Sequence, residues 1–334
     1  MNDNMINLNN IYVHGRYYLC DQLQIFNTAS GIEFNANLSF FSIKMKAVAK
    51  QKNQAWMKVI IDSDYDNQVD IKIDTNEKEY VIFSHKENEI HNIKVLKVSE
   101  AIESFVEISD INVKGEFLDK PKYDKTFLVI GDSTVSAFGN LGRVGEEKTL
   151  FDTDGLKGYC YLTSIYFNAS MNSLNGSGWG LVFSPWTTPK RRPLLSLFSK
   201  VAPLSDLEFD LKNINPNLAI ISLGVNDSFY INLGEDELTK EELIDEFKEG
   251  YHQLLELIKT NFGSIPIVMV YGLMKEKSNY PLMHNIYLDN KDGFNLYEAL
   301  IEGDGLGITA HPSDESHKEM SIKLIEKLKV ILNE

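Results

Sequence analysis

The sequence predicts two domains in series, an all-β sandwich followed by a three-layer α/β/α domain. Three observations predict it. The chain has 334 residues, more than twice the ~150 of a usual domain. Its hydrophobic period is two from about residue 11 to 117. It then changes, through a charged stretch at Leu118–Thr126 holding Pro121, to short continuous apolar runs separated by helical stretches. No internal repeat or low-complexity tract interrupts either half. The division therefore falls in that stretch, with 1–120 on one side and 121–334 on the other.

In the first part Ile43, Met45, Ala47 and Ala49 alternate with Ser42, Lys44, Lys46 and Val48. Val69, Ile71 and Ile73 alternate with Asp70, Lys72 and Asp74, again the pattern of half-buried antiparallel strands. Further strand-like runs at Trp56–Ile61, Ile93–Val98 and Phe105–Val113 are separated by polar turns, as expected where one face of each sheet looks inward. In the second part Phe127–Ile130, Leu218–Leu223 and Ile265–Tyr271 read as buried parallel strands. Thr239–Ile258 reads as an amphipathic helix: Thr239 and Glu242 form a capping box, and Leu243, Phe247, Tyr251, Leu254 and Ile258 share one face.

Composition narrows the function. Hydrophobic residues at 43% and charged residues at 24% are ordinary globular usage. Lys plus Arg at 33 against Asp plus Glu at 48 leave a net charge of −15, which repels phosphate backbones and anionic lipid. Nucleic acid and membrane are not expected partners. No basic n-region precedes an apolar h-region, and no window reaches ~18 uncharged apolar residues, so the expectation is a soluble, cytoplasmic protein. Cys20 and Cys160 form no CxxC pair and read as buried thiols. No His, Cys and Asp spacing suggests a metal, and no cofactor is expected. Gly303–Gly307 hints at a phosphate loop, but it follows a helix-like segment and lacks the Lys-Ser/Thr pair.

In an open α/β sheet, ligands bind beyond the carboxyl ends of the strands. Three such places stand out. Phe127–Ile130 ends in Gly131-Asp132-Ser133, which delivers either a nucleophile or simply a turn. Leu218–Leu223 ends in Gly224-Val-Asn226-Asp227, where Asn226 in a loop can aim a side-chain N–H at a developing oxyanion or serve as a turn residue. Asn226-Asp-Ser228 also fits a glycosylation sequon. Ser177-Gly178-Trp179-Gly180 can lend a backbone N–H. Among the seven histidines, His311 lies in a Gly-rich loop before Pro312, with Ser313 as the N-cap of a terminal helix. It is either a base or an exposed bystander. His317, one turn into that helix, reads as a structural hydrogen-bonding residue.

Taken in order, Gly-Asp-Ser, Ser-Gly, Gly-x-Asn-Asp and a late His-Pro resemble the four blocks of the SGNH (GDSL) hydrolase superfamily. The segments His14-Gly-Arg16, Ser30-Gly-Ile-Glu-Phe34 and His91 through Lys97-Val-Ser-Glu100-Ala, ahead of Ser133 and His311, resemble carbohydrate esterase family 2 in particular, the acetyl esterases of plant polysaccharides. The resemblance covers nearly the whole chain. It implies a jelly-roll-like sandwich before a flavodoxin-like α/β/α hydrolase domain.

The resemblance also implies roles: Ser133 as nucleophile, His311 as base, and an oxyanion hole made by the N–H groups of Ser133 and Gly178 and the side chain of Asn226. The implied partner is an acetylated oligosaccharide or polysaccharide, xylan or mannan, cleaved through an acyl-enzyme without cofactor. The absent export signal points toward short imported oligosaccharides. Trp179 and Trp186 are candidates to stack on sugar rings, or else packing residues. Lys190-Arg-Arg192 reads as a solvated loop, with contact to an acidic sugar as the alternative. Many SGNH enzymes carry an Asp two or three residues before the His, where this chain has Ile308 and Thr309. A Ser-His dyad oriented by a backbone carbonyl is therefore expected, with Asp304 and Asp314 as alternative orienting carboxylates and a His311 pKa near the ordinary ~6.5. A lipase or thioesterase with the same residues, or a binding protein without turnover, are the competing readings.

Overall fold

The computed structural model describes residues 6–49, 55–187, 190–191, 194–275 and 279–333. Eight strands come first: β1 (Ile11–His14), β2 (Tyr17–Leu19), β3 (Leu23–Ile25), β4 (Gly31–Ala49), β5 (Ala55–Ile61), β6 (Val69–Ile73), β7 (Lys78–Lys97) and β8 (Ser104–Phe117). They form one hydrogen-bonded antiparallel sheet in the order β2-β3-β8-β4-β7-β5-β6, with β1 paired to β4. The sandwich expected from alternation is thus built on a continuous sheet. Its long central strand β4 is flanked by β1 and β7 at Gly31–Phe34, and by β8 and β7 beyond Ala36. Register shifts between Leu38 and Phe40 and between Lys44 and Met45 mark where such a strand bends. Inward residues of all the layers, among them Ile25, Phe34, Phe41, Met57, Val95 and Val106, meet in one core.

The second part opens with β9 (Lys125–Gly131), after which come α1 (Tyr159–Tyr166), β10 (Ala169–Asn175), β11 (Leu218–Ser222), α2 (Val225–Leu233), α3 (Lys240–Phe262), β12 (Ile267–Tyr271), α4 (Tyr280–Asn290), β13 (Leu296–Leu300) and α5 (Asp314–Leu332). Its five strands are parallel in the order β10-β9-β11-β12-β13. In domain numbering that is 2-1-3-4-5, the flavodoxin-like order whose switch point lies beside the first strand. The capping box of α3 is formed as expected from Thr239 and Glu242. β10 and β13 were not visible in the periodicity. β13 precedes Gly303–Gly307, so that loop follows a strand and not a helix.

The domains share a core. Ala29, Trp56, Leu96 and Val98 of the first pack in one cluster with Phe127, Val129, Tyr159 and Met171 of the second. Polar ties cross as well: Arg16, fully buried, donates to Asn172 Oδ1 (3.2 Å) and to the carbonyls of Phe198 (2.7 Å) and Lys200 (2.6 Å). Lys58 Nζ reaches Asp154 Oδ2 at 2.5 Å. The cysteines part ways. Cys160 is buried, its thiol pushed up to about 12 by desolvation, whereas Cys20, between β2 and β3, is exposed and corrects the expectation of two buried thiols. Among the described residues no helix is long and apolar enough to cross a membrane.

Candidate active site

β9 delivers its serine because the chain turns sharply after it. A Cβ on Gly131 would come within 2.3 Å of Val135 Cγ2, so only glycine lets the turn fold back so tightly. Ser133 then stands at the sheet's switch point, 8% exposed. From the far end of the chain, His311 Nε2 lies 2.8 Å from Ser133 Oγ. The other ring nitrogen, Nδ1, lies 3.0 Å from the Ile308 carbonyl oxygen and 2.9 Å from Thr309 Oγ1. A carbonyl can only accept, so Nδ1 carries the proton and Nε2 presents its lone pair to the serine hydroxyl.

This orientation is held by local strain. Thr309 and Ala310 adopt φ of 50° and 61°, left-handed values that cost non-glycine residues ~1–2 kcal/mol each. The fold tolerates them because they turn the Ile308 carbonyl back onto the imidazole. Neither alternative carboxylate is bonded to the ring. Asp304 accepts from the Leu306 and Ser313 N–H groups and bonds the Ser313 hydroxyl, which caps α5, while Asp314 pairs with Lys157 at 3.2 Å.

The expected pKa of His311 needs correction. Burial pushes it down to about 4, and the nearby Lys148 ammonium pushes the same way against the Ile308 and Thr309 bonds. The Phe138 ring lies 4.6 Å from the imidazole, and Lys148 Nζ sits 4.9 Å from the centroid of that same ring. His317 is buried too, accepting from the Tyr159 N–H at 3.2 Å, in keeping with a structural role.

The remaining blocks assemble around Ser133. Asn226 sits in the first turn of α2, not in a loop. Its Nδ2 donates to Asp132 Oδ2 (3.3 Å) and to the Trp179 carbonyl (3.1 Å). It thereby ties the residue before Ser133 to the residue after Gly178. Gly178 adopts φ +78°, and a Cβ there would approach Trp186 Cβ at 3.2 Å. Asp132 and Asp227 are both buried, and desolvation holds both carboxyls up at about 6. Asp227 accepts the N–H groups of Leu181, Val182 and Phe183, fixing the loop that continues from Gly178.

The two tryptophans separate. Trp179 is 4% exposed and packs in the core with Leu128, Leu181 and Phe183, which removes it as a platform for a sugar ring. Trp186 is 67% exposed, and its Nε1 donates to Asn226 Oδ1 at 3.1 Å. Phe229, also exposed, meets it edge to face at 6.3 Å. Lys190 and Arg191 are engaged by Glu235, Asp236 and Glu246; Arg192 lies outside the described residues. Spacing gave no sign of Phe138, Lys148, Ser136 or Glu100 at the site. Glu100 belongs to a segment on which the family resemblance rests, but nothing in that segment signals its role. Among the described residues no His, Cys, Asp and Glu group is arranged to hold a metal ion.

The family model described as carbohydrate esterase 2 N-terminal matches residues 13–121. Over 310 residues, 88% of this chain, the sequence is 24% identical to a cellulase/esterase of Acetivibrio thermocellus. Over 154 residues, 45% of this chain, it is 28% identical to an acetylxylan esterase / glucomannan deacetylase of Cellvibrio japonicus. The matches span only 36% and 43% of those two proteins. The fold is that of a family two carbohydrate esterase from Clostridium thermocellum, solved with cellohexaose. Identity to it is 22%, the TM-score is 0.85, and 97% of this chain and 99% of that one are covered.

Proposed function

We propose that the chain, whose residues 13–121 match the N-terminal model of carbohydrate esterase family 2, is a carbohydrate O-acetyl esterase working through a Ser133–His311 dyad. The observation that carries this is the 2.8 Å contact between His311 Nε2 and Ser133 Oγ, with Nδ1–H directed at the Ile308 carbonyl. A neutral imidazole so placed can take the serine proton as Oγ attacks the acetyl carbonyl carbon. The imidazolium that forms keeps its Nδ1–H on the carbonyl and passes the Nε2 proton to the departing sugar oxygen. Water then repeats the sequence on the acetyl-enzyme, releasing acetate and restoring Ser133.

The negative charge on the tetrahedral oxygen falls to the N–H groups of Ser133 and Gly178 and to the Asn226 amide. Of the two Asn226 bonds, the longer, 3.3 Å to Asp132, is the one traded for the oxyanion. Trp186, exposed beside Gly178 and anchored on Asn226, offers a face on which a pyranose ring can stack. The cellohexaose held by the Clostridium thermocellum esterase supports a saccharide partner. The test is acetate release from acetylated xylan and acetylated mannan oligosaccharides, followed position by position by NMR. Acetate is expected from at least one of them, and rates with 4-nitrophenyl esters should fall steeply beyond acetyl. No acetate from either saccharide, or a preference for octanoyl over acetyl, overturns the proposal.

A further inference from the structure

Glu100 follows β7 in the first domain, yet its side chain lies among turns of the second. It is 1% exposed. Its Oε1 accepts from Ser136 Oγ at 2.9 Å and from Ser177 Oγ, and those two hydroxyls lie 3.3 Å apart. Ser136 stands three residues after Ser133 in the same turn, with its Oγ 3.2 Å from the Ser133 carbonyl oxygen. Ser177 immediately precedes Gly178. Behind the carboxylate, Lys148 Nζ is 3.5 Å from Oε2 and also pairs with Glu103. Buried Lys97 donates to the carbonyls of Ser99 (2.7 Å) and Glu100 (2.9 Å), fixing the backbone from which the side chain projects.

A buried carboxylate costs several kcal/mol unless it is paired and hydrogen-bonded, and an apolar residue could fill the same space. What an apolar residue could not do is draw two hydroxyls from separate turns onto one oxygen. We propose that Glu100 is a positioning residue of the Ser133 site, supplied by the β-domain: through Ser136 and Ser177 it sets the nucleophile turn against the turn that presents the Gly178 N–H. The β-domain then completes the site, and the shared hydrophobic cluster that joins the domains is what holds Glu100 in reach. The proposal rests on the reading of Ser133 as nucleophile and Gly178 as oxyanion donor.

The experiment uses the full chain and two readouts, kcat and KM for 4-nitrophenyl acetate and the rate at which a fluorophosphonate labels Ser133. In the labelling step the Oγ–P bond forms, the P–F bond breaks and His311 takes the hydroxyl proton, so no acetyl substrate is needed. Glu100→Leu, which fills the space but offers the two hydroxyls no acceptor, should slow both kcat and labelling ~10- to 100-fold, since displacing aligned groups by about an ångström costs on that order. Ser177→Ala should cost ~10-fold, KM should stay within about threefold, and the double variant should be no slower than Glu100→Leu alone. Labelling within about threefold of the parent in both single variants, or losses that multiply in the double, overturns the proposal.

A merely structural role predicts a lower melting temperature with labelling unchanged. Should Glu100→Leu show no cooperative melting, Ser136→Ala, Ser177→Ala and their combination decide by the same criteria. A parent that is labelled in a Glu100-dependent manner but releases no acetate from any substrate refutes the esterase reading and leaves the positioning role standing. A parent in which Ser133 is not labelled refutes both.

Discussion

Lowering the pH should leave His311 neutral far below the ordinary histidine range. Burial beside Phe138 and the charge of Lys148 bring its pKa from 6.5 to about 4, a preference for the neutral ring of about 3 kcal/mol at 1.36 kcal/mol per unit. A ring protonated at Nε2 cannot accept the Ser133 proton, so activity that depends on this base is lost as pH falls through about 4. The unfolded chain binds this proton first, between ~6.5 and the folded value, so the group's contribution makes folding stability fall as pH drops through that window. Asp132 and Asp227, raised to about 6, act in the opposite sense: the folded chain binds their protons first, from about 6 downward. Stability alone therefore does not isolate His311. The assay is long-range proton–nitrogen NMR of histidine-labelled protein, with His311→Gln for assignment. Down to about pH 4 it should show an Nδ1–H tautomer with a bare Nε2, and in Lys148→Met the titration should move upward. A ring half protonated near pH 6.5, or the Nε2–H tautomer at pH 7, refutes the reasoning.

Ser133→Ala and His311→Ala should each lower kcat ~10⁴-fold or more, with little further loss in the double variant, because the two act as a unit; steady-state kinetics on 4-nitrophenyl acetate check this. Asn226→Ala should cost ~10² to 10³ in kcat with little change in KM, as removal of one oxyanion donor does. Asp304→Asn and Asp314→Asn should stay within a few-fold of the parent in kcat/KM, because neither carboxylate bonds His311; a ~10³-fold loss in either would identify an orienting acid. Trp186→Ala should raise KM for acetylated oligosaccharides several-fold and lower kcat/KM for them more than for 4-nitrophenyl acetate, read by comparing the two substrates.

How much of this could be read in the sequence varied with how local each feature is. β9, β11, β12 and α3 were legible because their apolar runs and one capping box carry their own signal. β10, reading Ala-Ser-Met-Asn-Ser-Leu-Asn, was not, since its Asn172 is satisfied by Arg16 from 156 residues away. The exposed, charged middle of β7 hid a strand of 20 residues. At the site, Ser133, Gly178, Asn226 and His311 stand where strand ends and helix mouths place them. The environment that sets the His311 pKa is contributed by Phe138 and Lys148, distant in sequence. Trp179 and Trp186 look alike in their Gly- and Ser-rich surroundings, and only tertiary burial separates them. Glu100 was invisible as a site residue because it reaches Ser136 and Ser177 across a domain boundary.

The acyl-enzyme itself tests the Ser133–His311 dyad most directly. An acetylated oligosaccharide is mixed with the protein, quenched in acid within the first turnovers, digested and mapped by mass spectrometry. An acetyl group on the peptide holding Ser133, absent from Ser133→Ala and accumulating when the deacylating water is limited, is the predicted result. Acetate released with Ser133 never acetylated, or an acetyl group carried by another residue, would contradict it.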